Sequence, residues 1–378
     1  MKDFLKNKQK WIVGLVILGL MFVAGGFGVA SYLYGNRCYR GYEVKNKVNR
    51  SDSNNVNYRY HNGNILKYSN DGAFYLDAAN ELIWNQTYEM SSPKLDTCGN
   101  YLSIYDKGGT KIYILTPTKL VGSIETTMQI QQVCVAEQGT VAVLMKKDKA
   151  AYLALYDREG NSLAEGEIHG QNGGYPIAIA LSNDAVKLAV SMININEGSV
   201  KSTIAFYNYG TVGQNEIDHC VGVNNYDDMV IPEMEFTSND RMVAFGDTKA
   251  VIFEGAQKPQ AIAEIPMDEK TKSIYNEHYI GIVTGNEDEA VTNHLAVYDE
   301  NGKLVMEKDF GLDYSSIEFL TNNEICIRNA NVCDIYTVHG VYKFHHEFEE
   351  ELFEIIPGKL KLNYTLVLKD TTQRIRLK

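Results

Sequence analysis

Recognisable catalytic signatures are missing from this chain. It has no Gly-x-Ser-x-Gly elbow, no His-Glu-x-x-His helix and no Gly-x-x-x-x-Gly-Lys loop, so no serine nucleophile, zinc helix or phosphate cradle is declared. Its six cysteines (Cys38, Cys98, Cys134, Cys220, Cys326 and Cys333) never form a Cys-x-x-Cys pair, which speaks against structural zinc. Seven prolines in 378 residues and no low-complexity tract argue against extensive disorder. Of eight histidines only His345 and His346 are paired. Neighbours along a strand point to opposite faces, so these two do not share one metal, and one buried and one exposed ring is expected. Neither a metal nor a cofactor is expected.

Basic residues are also scarce where most of the chain lies. Residues 1–50 hold nine Lys and Arg against two acids, while the whole chain is −12, leaving −19 on residues 51–378. An acidic folded part is a poor nucleic-acid binder, because phosphate contacts need Lys and Arg. Solubility is the commoner meaning of such a charge.

One stretch lacks charge altogether. Trp11 to Tyr34 is a 24-residue uncharged run, which as a helix rising about 1.5 Å per residue reaches roughly 36 Å, enough for a bilayer core. Trp11 at one end and Tyr32 and Tyr34 at the other suit the interfacial belts. The expected division is a cytoplasmic tail (1–10), a transmembrane helix acting as signal anchor (11–34), a flexible linker (35–60) and a folded domain (61–378). A signal peptide cut after Gly28-Val29-Ala30 is the competing reading, but the apolar run continues past that site. Arg37 before Cys38 disfavours a lipoprotein signal. Four lysines in the tail face five basic residues between Arg37 and Arg50, so the positive-inside count is nearly balanced. Exporting a short tail with four lysines is costly, which places the domain outside the cytoplasm, on a single-pass plasma-membrane protein. Gly26 and Ala30 have the small-xxx-small spacing through which two such helices could touch.

Beyond residue 60 no helical period competes with short strand-like runs rich in Tyr, Val, Ile, Leu and Ala. Two apolar runs flank Tyr156-Asp157-Arg158-Glu159-Gly160-Asn161, and the figure returns around Tyr298-Asp299-Glu300-Asn301-Gly302-Lys303. Asp accepts backbone N–H groups ahead of it, and Gly takes the positive φ that closes the hairpin into a bulge. A calcium loop would need further oxygen ligands at alternating positions, which neither tip has. Five more tips align near Asn80, Pro117, Gly210, Gly255 and Gly340, at spacings of roughly 37 to 50 residues, the range of repeat architectures. Six complete four-strand sets and a partial set at either end predict an all-β fold, a β-propeller of seven or eight blades with eight favoured. Arranged radially, such sheets bury each against the next. Cys326 and Cys333 flank a short turn and face each other in a tight hairpin; a cross-strand disulfide and a pair of packed thiols both fit.

Tyr75-Leu76-Asp77-Ala78-Ala79-Asn80-Glu81-Leu82-Ile83-Trp84 resembles the repeat of quinoprotein-like propellers, where Leu-Asp precedes a turn and a Trp closes the strand. Gly174-Tyr175-Pro176, Ala205-Phe206-Tyr207-Asn208 and Glu125-Thr126-Thr127 are similar to stretches of an uncharacterised bacterial family of single-pass membrane proteins with a WD40- or quinoprotein-like propeller. That resemblance implies architecture and no activity. Quinoprotein dehydrogenases keep a vicinal cysteine pair, and this chain has no adjacent cysteines.

The longest connections, Gly170–Gly174, Asn194–Ser199, His219–Asp228 and Gly285–Asn293, fall where inter-blade and middle-strand loops share one face. They carry or adjoin Tyr175, Tyr226, Asp227, Asp228, Glu287, Asp288 and Glu289, a candidate partner-binding face; solvated insertions are the plainer reading. The expected function is a protein-interaction or ligand-binding platform at the cell envelope, with a protein or glycan partner. The rival is an envelope enzyme, a glycan- or lactone-cleaving propeller with its site in the axial funnel. Converging acids there favour the enzyme; Ala, Val and Tyr favour the platform. A cytosolic-facing scaffold follows if the topology is reversed.

Overall fold

The strands of this molecule are short, and the middle ones of each sheet are buried on one or both faces, so a single four-stranded sheet alone would leave apolar surface in water. A computed structural model of the chain describes Gly25, Gly26 and Arg37 to Lys378, except residues 51–55, 78–79, 149, 169–173, 197–198, 269–270 and 286–291. Thirty-two strands among these residues form eight antiparallel four-stranded sheets. After β1 (Tyr42–Asn49), the first blade is β2 (Asn57–His61), β3 (Asn64–Ser69), β4 (Gly72–Leu76) and β5 (Leu82–Thr87). The second is β6 (Pro93–Cys98), β7 (Tyr101–Asp106), β8 (Lys111–Thr116) and β9 (Lys119–Glu125); the third is β10 (Gln129–Val135), β11 (Val141–Lys147), β12 (Ala150–Tyr156) and β13 (Ser162–Ile168). The fourth comprises β14 (Tyr175–Leu181), β15 (Lys187–Asn196), β16 (Ser199–Asn208) and β17 (Cys220–Asp227). The fifth comprises β18 (Glu233–Phe236), β19 (Arg241–Phe245), β20 (Lys249–Glu254) and β21 (Gln260–Pro266). In the sixth stand β22 (Lys272–Tyr275), β23 (Tyr279–Gly285), β24 (Asn293–Asp299) and β25 (Leu304–Phe310), and in the seventh β26 (Ser316–Phe319), β27 (Ile325–Arg328), β28 (Val332–Tyr336) and β29 (Tyr342–Glu347). The eighth takes β30 (Leu352–Pro357), β31 (Asn363–Leu368) and β32 (Thr371–Leu377) from the chain's end and its outer strand, β1, from near the beginning. The eight-bladed propeller favoured by the sequence is the observed fold.

β1 corrects the expected linker. Residues 42–49, inside the expected 35–60 linker, form a strand in which Tyr42 pairs with Leu377 and Asn49 with Thr371, closing the ring. Asn57–His61, split by the expected boundary, is the first blade's inner strand. β1 is exposed along most of its length, so as an outer edge strand it shows no apolar alternation to read. The expected transmembrane run lies outside the described residues apart from Gly25 and Gly26, both helical. No helix among the described residues is long and apolar enough to cross a membrane.

The core lies between blades. Each of the eight seams has its own buried cluster: Phe206 and Phe253 between blades four and five, Ile112, Ile114 and Val143 between two and three. Among the described residues the seam between blades eight and one is the thinnest, with Ile65, Ile356 and Val367 buried in its cluster.

The seven aligned tips are the turns joining the third and outer strands of blades one to seven. All seven third strands slip register just before the turn, at positions such as Leu155/Tyr156 and Val297/Tyr298. Asp157 Oδ1 accepts the N–H groups of Glu159 at 3.0 Å and Asn161 at 2.8 Å, and Gly160 sits at φ 92°. Asp299 does the same for Asn301 and Lys303, with Gly302 at φ 76°. The eighth blade has no such tip because its third and outer strands come from opposite ends of the chain.

Cys326 and Cys333 face each other with both thiols free and 3.6 Å between sulfurs. Cys333 pairs directly with Arg328, and Cys326 with Ile335, so the two thiols are diagonal neighbours. His345 and His346 do point to opposite faces, but both are half-exposed: His345 bonds Asp334 at 2.7 Å and His346 packs on Tyr42 and Phe348.

Candidate functional site in the axial channel

Inner strands carry the residues that meet at the hub. Along β18, β26 and β30 the same figure occurs, a glutamate between apolar residues: Met234-Glu235-Phe236, Ile317-Glu318-Phe319 and Phe353-Glu354-Ile355. Strand alternation buries Met234 and Ile317 in inter-blade seams and turns each glutamate the other way. Asp96 holds a comparable place on β6, paired with Ser103.

A cavity of about 220 Å³ is lined from five inner strands or their ends, including Asp96, Cys98, Cys134, Leu181, Glu235 and Tyr275. Glu137 and Glu277 stand at its mouth, on the turns that follow β10 and β22. Its lining thus holds four carboxylates and neither lysine nor arginine. Asp96, Glu235 and Tyr275 also line an adjoining cavity with Arg59 and Glu318, so the hollow continues along the axis.

Asp96 and Glu235 are half-buried, enclosed by protein but reached by water, whereas Glu137 and Glu277 at the mouth are exposed. Burial pushes Glu235 up to about 8; the neighbouring charges of Asp96 and Glu233 add to this, and Tyr275 opposes it through its hydroxyl, 3.5 Å from Glu235 Oε2. Burial also raises Asp96, to about 6, against the pull of the Val135 N–H donated at 2.6 Å. Tyr275 itself is held far above the usual phenol range, by burial first and then by Glu235 and Glu233. Farther round the hub the acids are matched: Glu318 meets Arg59 at 3.2 Å and Arg328 at 3.4 Å, and Arg328 lies 3.6 Å from Glu354. Burial nonetheless lifts Glu354 to about 8. Among the described residues no group of three or more His, Cys, Asp or Glu side chains is arranged to hold a metal ion.

The hub is therefore not the Ala-, Val- and Tyr-lined funnel that would favour a plain platform. Sequence inspection missed its acids because an isolated glutamate in a four-residue strand looks like a surface residue. Its recurrence between apolar neighbours in three inner strands was the available signal.

The face expected from loop length is assembled only in part, and its mouth is not the one just described. The acidic cavity opens where inner strands turn into second strands, the opposite side from the inter-blade connections. Residues 220–227 correct the expectation of a long loop at His219–Asp228, for they form β17, whose polar Asn224 to Asp227 suits an outer edge. Tyr226 and Asp227 join Lys249 and Glu264 in a shallow groove between blades four and five. There Lys249 lies 5.6 Å from the Tyr226 ring and Asp227 pairs with Lys201 at 3.2 Å. Asp228, at φ 52°, donates its N–H to Val200 O. Tyr175 begins the inner strand β14, under Lys146 at 5.8 Å, and does not line that groove. Glu287, Asp288 and Glu289 lie outside the described residues.

Eight radial four-stranded sheets around adjoining acid-lined cavities define an eight-bladed β-propeller. The chain belongs to the DUF5711 family, a family of unknown function, whose model matches residues 35–377. No curated protein matches the sequence. Among solved structures it is similar to BamB from Moraxella catarrhalis, at 10% identity and TM-score 0.50, over 89% of this chain and 100% of that one. It is also similar to the Pan2 WD40 domain of Neurospora crassa (8% identity, TM-score 0.45, 76% and 88% covered) and to Atg21 in a complex with the Atg16 coiled coil (15%, 0.48, 70% and 88%). At these identities the likeness concerns the fold.

Proposed function

We propose that this protein is a binding platform held at the membrane by residues 11–34, with its propeller outside the cytoplasm, and that the acidic end of its channel receives a cationic group of a protein partner. The single observation behind this is the cavity lined by Asp96, Glu137, Glu235 and Glu277 and by no base. A lysine or arginine side chain entering it would supply the missing counter-charge and relieve the mutual repulsion that helps raise Glu235. The rim groove at Tyr226 offers a second, weaker contact surface. A lysine-rich peptide titrated by calorimetry is expected to bind the wild type and to lose at least tenfold in affinity in the Asp96→Asn/Glu235→Gln variant. Equal affinity of the two proteins would remove the channel from the proposal. Placement outside the cytoplasm is checked with Leu163→Cys, an exposed position on β13, in a chain whose partly exposed Cys38, Cys98 and Cys220 are replaced by serine: an impermeant maleimide on intact cells should label it, and labelling only after lysis would reverse the topology.

The enzyme reading is favoured by the same convergence of Asp96, Glu137, Glu235 and Glu277 in the channel. Burial raises both Asp96 and Glu235, and carboxyl groups raised toward neutral pH are what acid–base catalysis requires. Turnover of chromogenic glycosides by the wild type, lost in both Asp96→Asn and Glu235→Gln, would favour it over simple binding.

A further inference from the structure

We infer that the propeller rests against the bilayer on the edge where blades seven and eight meet, with the Lys359-Leu360-Lys361 turn touching anionic lipid headgroups. This rests on reading residues 11–34 as the membrane anchor.

The argument begins with how little chain separates that run from the folded ring. Tyr39 is buried at 3% exposure in the seam between blades seven and eight. Its N–H donates to Lys343 O at 2.8 Å and its carbonyl accepts the His345 N–H at 3.0 Å. From Tyr34, the last apolar residue, to Tyr39 is five steps along the chain, at most about 18 Å when fully extended. The flexible linker expected from the sequence would have let the domain swing well clear of the membrane. A pinned Tyr39 holds this edge close to the headgroup layer instead.

Two hydrogen bonds then tie the β30–β31 turn to β32 and β29, and a third ties the end of β32 to Gly41 beside Tyr39. Lys378 N–H donates to Gly41 O at 2.9 Å, Leu377 N–H to Leu362 O at 2.9 Å, and Lys343 Nζ to Lys361 O at 2.6 Å. The turn presents Leu360 at 68% exposure between two exposed lysines. Arg37, Arg40, Arg376 and Lys378 are exposed nearby, and the adjacent Glu43 is paired with Lys45 at 2.8 Å. This basic edge belongs to a domain that is otherwise strongly acidic. An apolar tip flanked by lysines suits the membrane interface: leucine enters among the acyl-chain ends while the ammonium groups reach the phosphates. The same charges would suit an acidic protein, but the short chain brings the bilayer to this edge whatever other partner is present.

The test uses the full-length chain with Trp11→Phe, reconstituted in phosphatidylcholine–phosphatidylglycerol vesicles with brominated acyl chains. Leu360→Trp should add emission that the bromines quench. Leu163→Trp, on β13 of the third blade across the ring, should add emission that they do not. Lys359→Glu/Lys361→Glu should abolish the quenching at position 360, as should vesicles of phosphatidylcholine alone. Quenching at 360 no greater than at 163, with the protein still floating with the vesicles, overturns the proposal and leaves the anchor standing. Quenching insensitive both to charge reversal and to lipid charge overturns the headgroup contact. A protein that fails to float overturns the anchor reading, and this inference with it.

Discussion

Carboxyl groups enclosed by a β-ring do not titrate as they do in an unfolded chain, and Glu235 makes the consequence measurable. Its native pKa is raised from 4.5 to about 8, by burial first and by Asp96 and Glu233 next. The folded state therefore keeps a proton over a range in which the unfolded state has lost it. Stability from this group is fully present below about pH 4.5 and is lost as pH rises through about 8. Glu235→Gln cannot ionise, so its urea midpoint should gain on the wild type as pH rises across that window, the two lying closest in acid. A midpoint difference independent of pH would show that Glu235 is not held protonated. Lys343 is the opposite case, a buried charge fully partnered. Its Nζ donates to Glu324 and to Tyr364 at 2.8 Å, and Tyr364 in turn donates to Glu324. Lys343→Met leaves Glu324 enclosed without its cation, which should cost about 3–5 kcal/mol in denaturant unfolding. A loss of less than about 1 kcal/mol would match an exposed ion pair and contradict the burial described.

At the scale of elements, legibility followed exposure. The tips near Asp157 and Asp299 were readable because turn chemistry is local: an Asp oxygen and a glycine at positive φ fix the bulge whatever the strands pack against. The four-strand sets were readable for a similar reason, each lying within one stretch of chain. β1 and β17 were missed because outer strands expose one edge and both sides, so selection places Asn, Lys, Asp and Tyr there and the apolar alternation fades. The acids of the channel were missed because their meaning arises only when five blades converge, which no local window contains. β1 is nevertheless the element on which closure depends. A chain beginning at Arg37 should fold as the full-length protein does. One beginning at Arg50 leaves β32 as an open edge and removes Tyr39 from its seam. It should lose most of the molecule's stability, which for a domain is on the order of 5–15 kcal/mol, and should aggregate through that edge. Coinciding melting transitions for the two truncations would show that three strands suffice for the eighth blade.

For the whole molecule, a ring is only as strong as its weakest seam, and here the seams are unequal. Between blades four and five, fourteen residues are buried together; between eight and one, three are. The latter seam leans on aromatic and cation–π contacts instead: Tyr58 stacks on Phe353 at 5.3 Å and Arg50 lies 4.3 Å over Tyr58, while Arg59 of blade one reaches across the hub to Glu318 of blade seven. Exposed ion pairs contribute little, about 1 kcal/mol or less, whereas each fully buried aliphatic side chain contributes about 1.5–3 kcal/mol. The balance puts the first opening at this junction, beside the hub acids Glu318 and Glu354. Sub-global openings follow such differences in packing. Native-state hydrogen exchange should therefore find amides of β2 and β30 exchanging through a lower-energy opening than those of β14 and β18, with the gap narrowing in Glu354→Leu, which replaces a buried carboxyl raised to about 8 by an apolar side chain. Uniform protection around all eight blades would mean that the contacts of Tyr58 with Phe353 and Arg50 hold their seam as firmly as Phe206 and Phe253 hold theirs.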